Sequence, residues 1–148
     1  MKIFRPIFLA VACGALCLSS VRAEATWLTD LQRAQAEAKA SHKLLLLNFT
    51  GSDWCGWCIR LEKEVFSKPE FAEYAKQNLV LLTVDFPHAK PLSDEVRKQN
   101  RELAEKYGIE GFPTIVVLNE DGKPVGALGY QPGGPSAFIA ELKKMPKG

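Results

Sequence analysis

Three short apolar runs, with helix-like segments between them, limit the folds that are open to this chain. The runs cover residues 44–49, 79–85 and 114–118, and each is rich in Leu, Ile or Val. Short runs that are apolar almost throughout are typical of strands buried on both faces of a sheet. Because the intervening segments predict helices, the pattern favours parallel strands joined by helical crossovers. We therefore expect an α/β protein with three layers, α/β/α.

The segments outside these runs complete the expected order of elements. Helical spacing of apolar residues predicts helices over residues 27–43, 58–65, 69–75, 93–107 and 135–145. A turn with the sequence NEDG, at residues 119–122, precedes a fourth strand near residues 125–129. The sheet is therefore expected to be mixed, with an antiparallel C-terminal hairpin whose edge strand runs against the others. A further short strand near the start is left open.

The first 23 residues have the composition of a secretory signal peptide. Lys2 and Arg5 precede an apolar core over residues 7–18, and small residues lie at the −3 and −1 positions of a cut after Ala23. An apolar stretch of about 12 residues is short for a membrane span, which needs about 20. We expect a signal peptide at 1–23 and one domain at 24–148, exported to the periplasm or secreted. An uncleaved anchor and a lipoprotein at Cys13 or Cys17 are the alternatives.

Removal of this segment changes the charge and the cysteine count. It takes three of the 19 Lys and Arg residues and none of the 17 Asp and Glu residues, so 16 remain against 17. Without a basic block, nucleic acid is not an expected partner. Two of the four cysteines also go, which leaves Cys55 and Cys58. A single disulfide that closes a four-residue loop restrains the unfolded chain very little, so a purely structural bridge is disfavoured.

The remaining pair lies in the sequence WCGWC at residues 54–58, between a predicted strand and a predicted helix. Residues three apart on a helical turn lie about 5–6 Å apart, which suits a disulfide. Cys55 would face the positive end of the helix dipole, which lowers the pKa of a thiol. We expect Cys55 to be the attacking thiolate and Cys58, one turn inward and more sheltered, to be the resolving thiol.

Other interpretations of these residues are weaker. A structural zinc site needs four ligands, whereas His42 and His88 lie far from each other and from the pair in sequence. We expect no metal, and we expect both histidines in exposed loops; a place for His88 near the site is the alternative. Trp54 is expected to shield the sulfurs, and Trp57 to offer a contact surface to apolar partners.

The pair and a second motif together resemble the thioredoxin superfamily. The sequence GFPT at residues 111–114 follows WCGWC by about 55 residues and opens the third apolar run. The combination is closest to that of secreted bacterial thioredoxin-like proteins with the sequence GSDWCGWC, and it covers roughly residues 28–145. The resemblance implies the thioredoxin fold and thiol–disulfide exchange with protein substrates, with electrons supplied by a redox partner protein. No cofactor is implied, and a monomer is expected.

The resemblance also implies roles for two further residues. Pro113 matches the cis-proline of the family, and the backbone of Phe112 would pair with a substrate strand. The alternative for Pro113 is a trans proline at an ordinary strand start. The alternatives for the function are a binding or chaperone module with a static disulfide and a reductase dedicated to cytochrome assembly.

Three departures from ordinary thioredoxin limit what can be carried over. Asn48 occupies the place of the buried acid that moves protons to and from the resolving cysteine. Because Asn cannot take a proton, that role is either vacant or filled by water or by another acid such as Asp53. The dipeptide between the cysteines is Gly-Trp, which leaves the redox direction open. The segment from Asp85 to Phe112 is about a dozen residues longer than its counterpart in thioredoxin. The extra residues form either a surface for a partner or a plain loop extension.

Overall fold

The computed structural model describes residues 24–146, so the predicted signal peptide lies outside the described residues. The strands in this range form one mixed sheet with the order β1-β3-β2-β4-β5. They are β1 (Trp27–Leu28), β2 (Leu44–Thr50), β3 (Leu79–Asp85), β4 (Thr114–Leu118) and β5 (Pro124–Leu128). The three apolar runs are thus the three inner strands, and the predicted hairpin is formed by β4 and β5.

Helices cover both faces of the sheet, which confirms the three-layer prediction. They are α1 (Leu31–Ser41), α2 (Gly56–Leu61), which continues as a π-helical turn (Glu62–Phe66), α3 (Pro69–Asn78), α4 (Asp94–Lys106) and α5 (Gly134–Lys143). One apolar core contains Phe66, Phe71 and Phe138 from the α2–α3–α5 side. The other contains Ala34 and Ala38 of α1 and Leu103 of α4. The inner strands β2, β3 and β4 bury alternate side chains in the two different cores, as inner strands of such a sheet must.

The first predicted helix begins later than the sequence suggested. Trp27 and Leu28 form β1, which pairs in parallel with Leu81 and Leu82 of β3. The helix starts only at Leu31, because the Asp30 side chain accepts a hydrogen bond from the Arg33 N–H and caps it. Helical spacing from Trp27 onward was misleading because the tryptophan ring packs on Phe66 in the opposite core.

The direction of one strand also differs from the prediction. β4, and not the edge strand, runs against the others: it pairs antiparallel with β2, and β5 in turn pairs antiparallel with β4. The cause is the long connection from β3 to β4, which leaves and re-enters the sheet at the same edge. Thr114, at the start of β4, lies opposite Phe49, near the end of β2. A helix inside a connection therefore does not by itself make the following strand parallel.

This topology brings three chain segments to one edge of the sheet. The carboxyl ends of β2 and β3 and the amino end of β4 lie there, as the pairing of Thr50 with Asp85 and of Phe49 with Thr114 shows. Residues 51–58, 86–93 and 109–113 therefore meet at that edge. Over residues 24–146, no helix has both the length and the apolar character that crossing a membrane requires.

Candidate active site at the sheet edge

The two cysteines lie where the chain leaves β2 and enters α2. Cys55 is the residue before the helix and Cys58 is in its first turn, and the two form a disulfide with their Cα atoms 5.2 Å apart. The Cys58 N–H donates to Sγ of Cys55 over 3.2 Å, so this sulfur caps the helix. The same backbone N–H would stabilise a negative charge on Sγ of Cys55 once the disulfide is reduced.

The expected difference in exposure between the two cysteines is not found. In the disulfide form Cys55 is 6% exposed and Cys58 is 5% exposed, so neither is the accessible partner. The reason is that different neighbours cover each of them. Cys55 lines a cavity of about 300 Å³ with Trp54 and residues 109–112. Cys58 lines a separate cavity of about 310 Å³, which Trp27 and Asn48 also line. The asymmetry is therefore one of surroundings and not of accessible area.

Trp54 forms the wall beside Cys55 and is fixed by three contacts. Its Nε1–H donates to the carbonyl of Phe86 over 2.8 Å. Its ring stacks on His88 at 4.6 Å and meets the Phe112 ring edge-on at 5.9 Å. Although 43% of Trp54 is exposed, its position is thus determined by groups on two other segments of the chain.

The Phe112–Pro113 segment reaches the same edge. Its peptide bond is cis, and both residues are half-buried. The Phe112 ring stacks on Phe86 at 5.2 Å, and Phe112 lines the cavity of Cys55. Pro113 immediately precedes β4, whose first residue pairs with Phe49. The two motifs that the sequence singled out are therefore brought together.

Trp57 lies on the other side of the pair and is 55% exposed. Its ring packs on Tyr130 at 4.9 Å, and the Arg60 guanidinium lies over both rings at 5.5 and 5.2 Å. Glu64 accepts hydrogen bonds of 2.7 Å from Nε of Arg60 and from the Tyr130 hydroxyl. Both bonds lower the pKa of Glu64, and the bond to Glu64 raises the pKa of Tyr130. These contacts hold the Trp57 ring in one position. They involve Tyr130, which is far from Trp57 in sequence, so the spacing of residues could not reveal them.

Glu62 is a residue that sequence reasoning missed. It lines the cavity of Cys58 together with Asn48, and desolvation raises the pKa of its carboxyl although the residue keeps an exposed side. Asn48 is buried, and its Oδ1 has no hydrogen-bond partner among the described residues. The signal was present in the sequence, because Glu62 follows Cys58 by four residues on a helix and shares its face.

Asp53, the acid suggested for proton transfer, has another role. Its carboxylate accepts hydrogen bonds from the N–H groups of His88 and Ala89, at 2.9 and 2.7 Å. These bonds lower the pKa of Asp53, so it is a poor proton carrier near neutral pH. Asp53 instead attaches residues 86–93 to the site, and this brings His88 beside Trp54. Within residues 24–146, no three His, Cys, Asp or Glu side chains are grouped so that they could hold a metal ion.

Comparison with known proteins agrees with this geometry. The family model described as thioredoxin-like domain matches residues 31–146, nearly all of the described chain. The chain belongs to this thioredoxin-like family. The expected family and fold are thereby confirmed.

Two curated relatives share this domain. The chain is 37% identical over 110 residues to the disulfide bond reductase DsbH of Chlamydia pneumoniae, covering 74% of this chain and 66% of the relative. It is 31% identical over 103 residues to the thioredoxin-related protein DsbJ of the same organism, covering 70% of this chain and 30% of the relative. The chain thus spans less than two thirds of the length of either.

Solved structures give the same result. A structure described as DsbH oxidoreductase superposes with a TM-score of 0.78 at 35% identity, covering 82% of this chain and 84% of the other. A thioredoxin from Thermus thermophilus has a TM-score of 0.61 at 22% identity, covering 82% and 86%, and this likeness shows the fold alone.

Proposed function

We propose that this protein is an exported reductase of protein disulfides that works through the Cys55–Cys58 pair. The observation that carries the proposal is the position of the pair, one helical turn apart at the start of α2 and beside the Phe112–Pro113 segment. The name of the relative DsbH, a disulfide bond reductase, supports the reducing direction. The composition of residues 1–23 supports export, to the periplasm or beyond.

The chemistry takes two steps of thiol–disulfide exchange. The Cys55 thiolate attacks one sulfur of a substrate disulfide, which forms a mixed disulfide and releases the first substrate thiol. The Cys58 thiolate then attacks Sγ of Cys55, which restores the Cys55–Cys58 disulfide and releases the second substrate thiol. Two electrons and two protons have passed to the substrate. A redox partner protein must return two electrons to the pair before the next cycle.

Each neighbour of the pair has a proposed part in these steps. The backbone of Phe112, before Pro113, pairs with the extended substrate, while Trp54 and Trp57 form the apolar walls on either side of the sulfurs. Glu62 accepts the proton of the Cys58 thiol through the cavity that the two residues share. Its raised pKa suits this task better than the lowered pKa of Asp53 does.

Two measurements test the proposal. A titration against glutathione should give a reversible couple between about −120 and −270 mV, the range of thioredoxin-like oxidoreductases. In Cys58→Ser, the mixed disulfide on Cys55 cannot be resolved and should accumulate with a disulfide-bearing protein substrate. The matched control is Cys55→Ser, which should trap no substrate.

The second candidate is a binding or chaperone module with a static disulfide. The observation in its favour is the equal and nearly complete burial of the two cysteines. A potential below about −300 mV, together with no trapped species in Cys58→Ser, would support it against the proposal.

A further inference from the structure

A third cavity adjoins the site on the far side of Trp54. It has a volume of about 550 Å³ and lies between the segment 86–92 and the first half of α4. Phe86, Pro87, Pro91 and Leu92 give it an apolar lining. Trp54 lines both this cavity and the one that holds Cys55, so one indole ring separates them. A volume of this size with an apolar lining and a few polar groups is typical of a binding site.

The charges around this cavity are mostly positive. Lys90, Arg97 and Arg101 line it, against a single carboxylate, that of Asp85, among its described lining residues. The Asp85 carboxylate is occupied, since its two oxygens accept from N and Oγ of Ser52 over 2.9 and 2.6 Å. The cavity therefore presents a net positive charge that its own carboxylate does not neutralise.

The two arginines are available to a ligand. Arg97 uses one nitrogen, Nη2, to donate to the carbonyl of Leu92 over 3.1 Å, which leaves its other donors free. The Arg101 guanidinium has no hydrogen-bond or ion-pair partner among residues 24–146. Both side chains are exposed and lie one helical turn apart on α4. A guanidinium can bind a carboxylate through two parallel N–H···O hydrogen bonds.

The wall of the cavity is held in place before any ligand arrives. The Phe86 N–H donates to the carbonyl of Thr50 over 2.8 Å, and Asp53 accepts from His88 and Ala89. The stack of Trp54 on His88 closes the same side. A preformed wall lowers the entropy that binding must overcome.

We infer that this cavity recognises an acidic side chain and an apolar neighbour on the protein segment whose disulfide is presented to Cys55. The arginines take the carboxylate, and the apolar lining takes the neighbouring side chain. The inference rests on the proposed function and adds a substrate class to it: disulfides flanked by acidic and apolar residues. The extra residues between β3 and β4 would then serve recognition and not only connection.

Paired synthetic peptides test this inference with the reduced protein. Each peptide carries one cysteine in a mixed disulfide with a fluorescent thiol. It also carries the dipeptide Leu-Glu, which the set of peptides places two to five residues before or after the cysteine. Its twin carries Leu-Gln at the same place. When the protein reduces the disulfide between the peptide and the fluorescent thiol, both thiols are released and the Cys55–Cys58 dithiol becomes a disulfide. Two electrons and two protons pass from the protein to the peptide and the fluorescent thiol. Stopped-flow fluorescence gives the second-order rate constant, and anisotropy with cysteine-free versions measures binding without chemistry.

At least one Leu-Glu peptide should react about 10-fold faster than its twin at low salt, as charge complementarity acts mainly on association. The difference should vanish at 1 M salt, where the Debye length is about 3 Å. The variants Arg101→Gln and Arg97→Gln/Arg101→Gln should lose the preference while still reducing the Leu-Gln twin. Lys39→Gln/Lys123→Gln removes as much charge from outside the cavity lining and should keep it.

Equal rates and equal binding for all twins in the wild-type protein would overturn the inference, as would loss of the preference in the Lys39/Lys123 control. Binding of inorganic phosphate at Arg97 and Arg101, without any preference among peptides, would replace the inference with a small-anion site. Failure of the proposed function is distinguishable, because then neither twin would be reduced.

Discussion

Gly51 precedes the cysteine motif and has no room for a side chain. A Cβ at this position would lie 2.6 Å from Nε1 and 2.7 Å from Cζ2 of Trp54, although the backbone itself is in a region that alanine adopts. Because carbon atoms prefer about 3.5–4.0 Å, Gly51→Ala would push the indole ring outward by about 1 Å. This movement breaks the 2.8 Å bond from Trp54 to Phe86 and disturbs the stack on His88.

The cost of Gly51→Ala can be set from these contacts. A lost neutral hydrogen bond costs about 1 kcal/mol, and overpacking costs about 1–3 kcal/mol. Since 43% of Trp54 is exposed and the ring can yield, we expect the low end, a loss of about 1–2 kcal/mol in the free energy of unfolding. In thermal unfolding of the oxidised protein this corresponds to a fall of roughly 3–8 °C in Tm. In the reduced protein, Cys55 should also be alkylated faster.

Two variants make this test specific. In Trp54→Ala the atoms in conflict are gone, so adding Gly51→Ala should cost no more than about 0.5 kcal/mol. Gly111→Ala, where a new Cβ would meet nothing within 4 Å, should leave stability unchanged. If Gly51→Ala is as stable as the wild type, or if it is equally destabilising without the Trp54 ring, the account of how this wall is built is wrong.

Three further predictions concern single residues. Because the folded-state pKa of Glu62 is raised above its ordinary value of 4.5, ionisation opposes folding, and the wild type should lose stability as pH rises from 4.5 to the raised pKa. Glu62→Gln should therefore be more stable than the wild type at neutral pH but not below pH 4.5, as measured by chemical denaturation. In the same variant, rapid quench should show slower resolution of the mixed disulfide by Cys58. The lowered pKa of Asp53 has the opposite sign, so its bonds to His88 and Ala89 should persist above its ordinary pKa of 3.8 and fail as pH falls through the lowered value. Asp53→Ala should reproduce that loosening at neutral pH, seen as faster amide exchange of residues 88 and 89 with an unchanged rate in α5. Phe138→Ala should cost about 3–5 kcal/mol in chemical denaturation, because this fully buried ring packs in the core between α3, α5 and the sheet.

Much of the fold could be predicted because the strands of this protein are buried on both faces. The predicted bounds 79–85 and 114–118 match β3 and β4, and the helix expected over 93–107 is capped at Ser93 and ends before Gly108, whose φ is +61°. Such signals are local, since apolar runs and capping side chains act within a few residues. The start of α1 was misplaced because pairing of β1 with β3 depends on residues more than 50 positions away.

The candidate site divides in the same way. The sequence by itself singled out Cys55 and Cys58 and the Phe112–Pro113 segment, because short motifs carry their own spacing and local geometry. Only the tertiary structure decided that Glu62, and not Asp53, shares a cavity with Cys58, and that Trp54 separates the cysteines from a basic cavity. Burial, pKa and the meeting of distant segments depend on which chain ends share an edge of the sheet, and β4 had to run against β2 to bring them there. The spacing within a motif depends only on neighbouring residues, whereas the direction of β4 depends on how the whole chain packs.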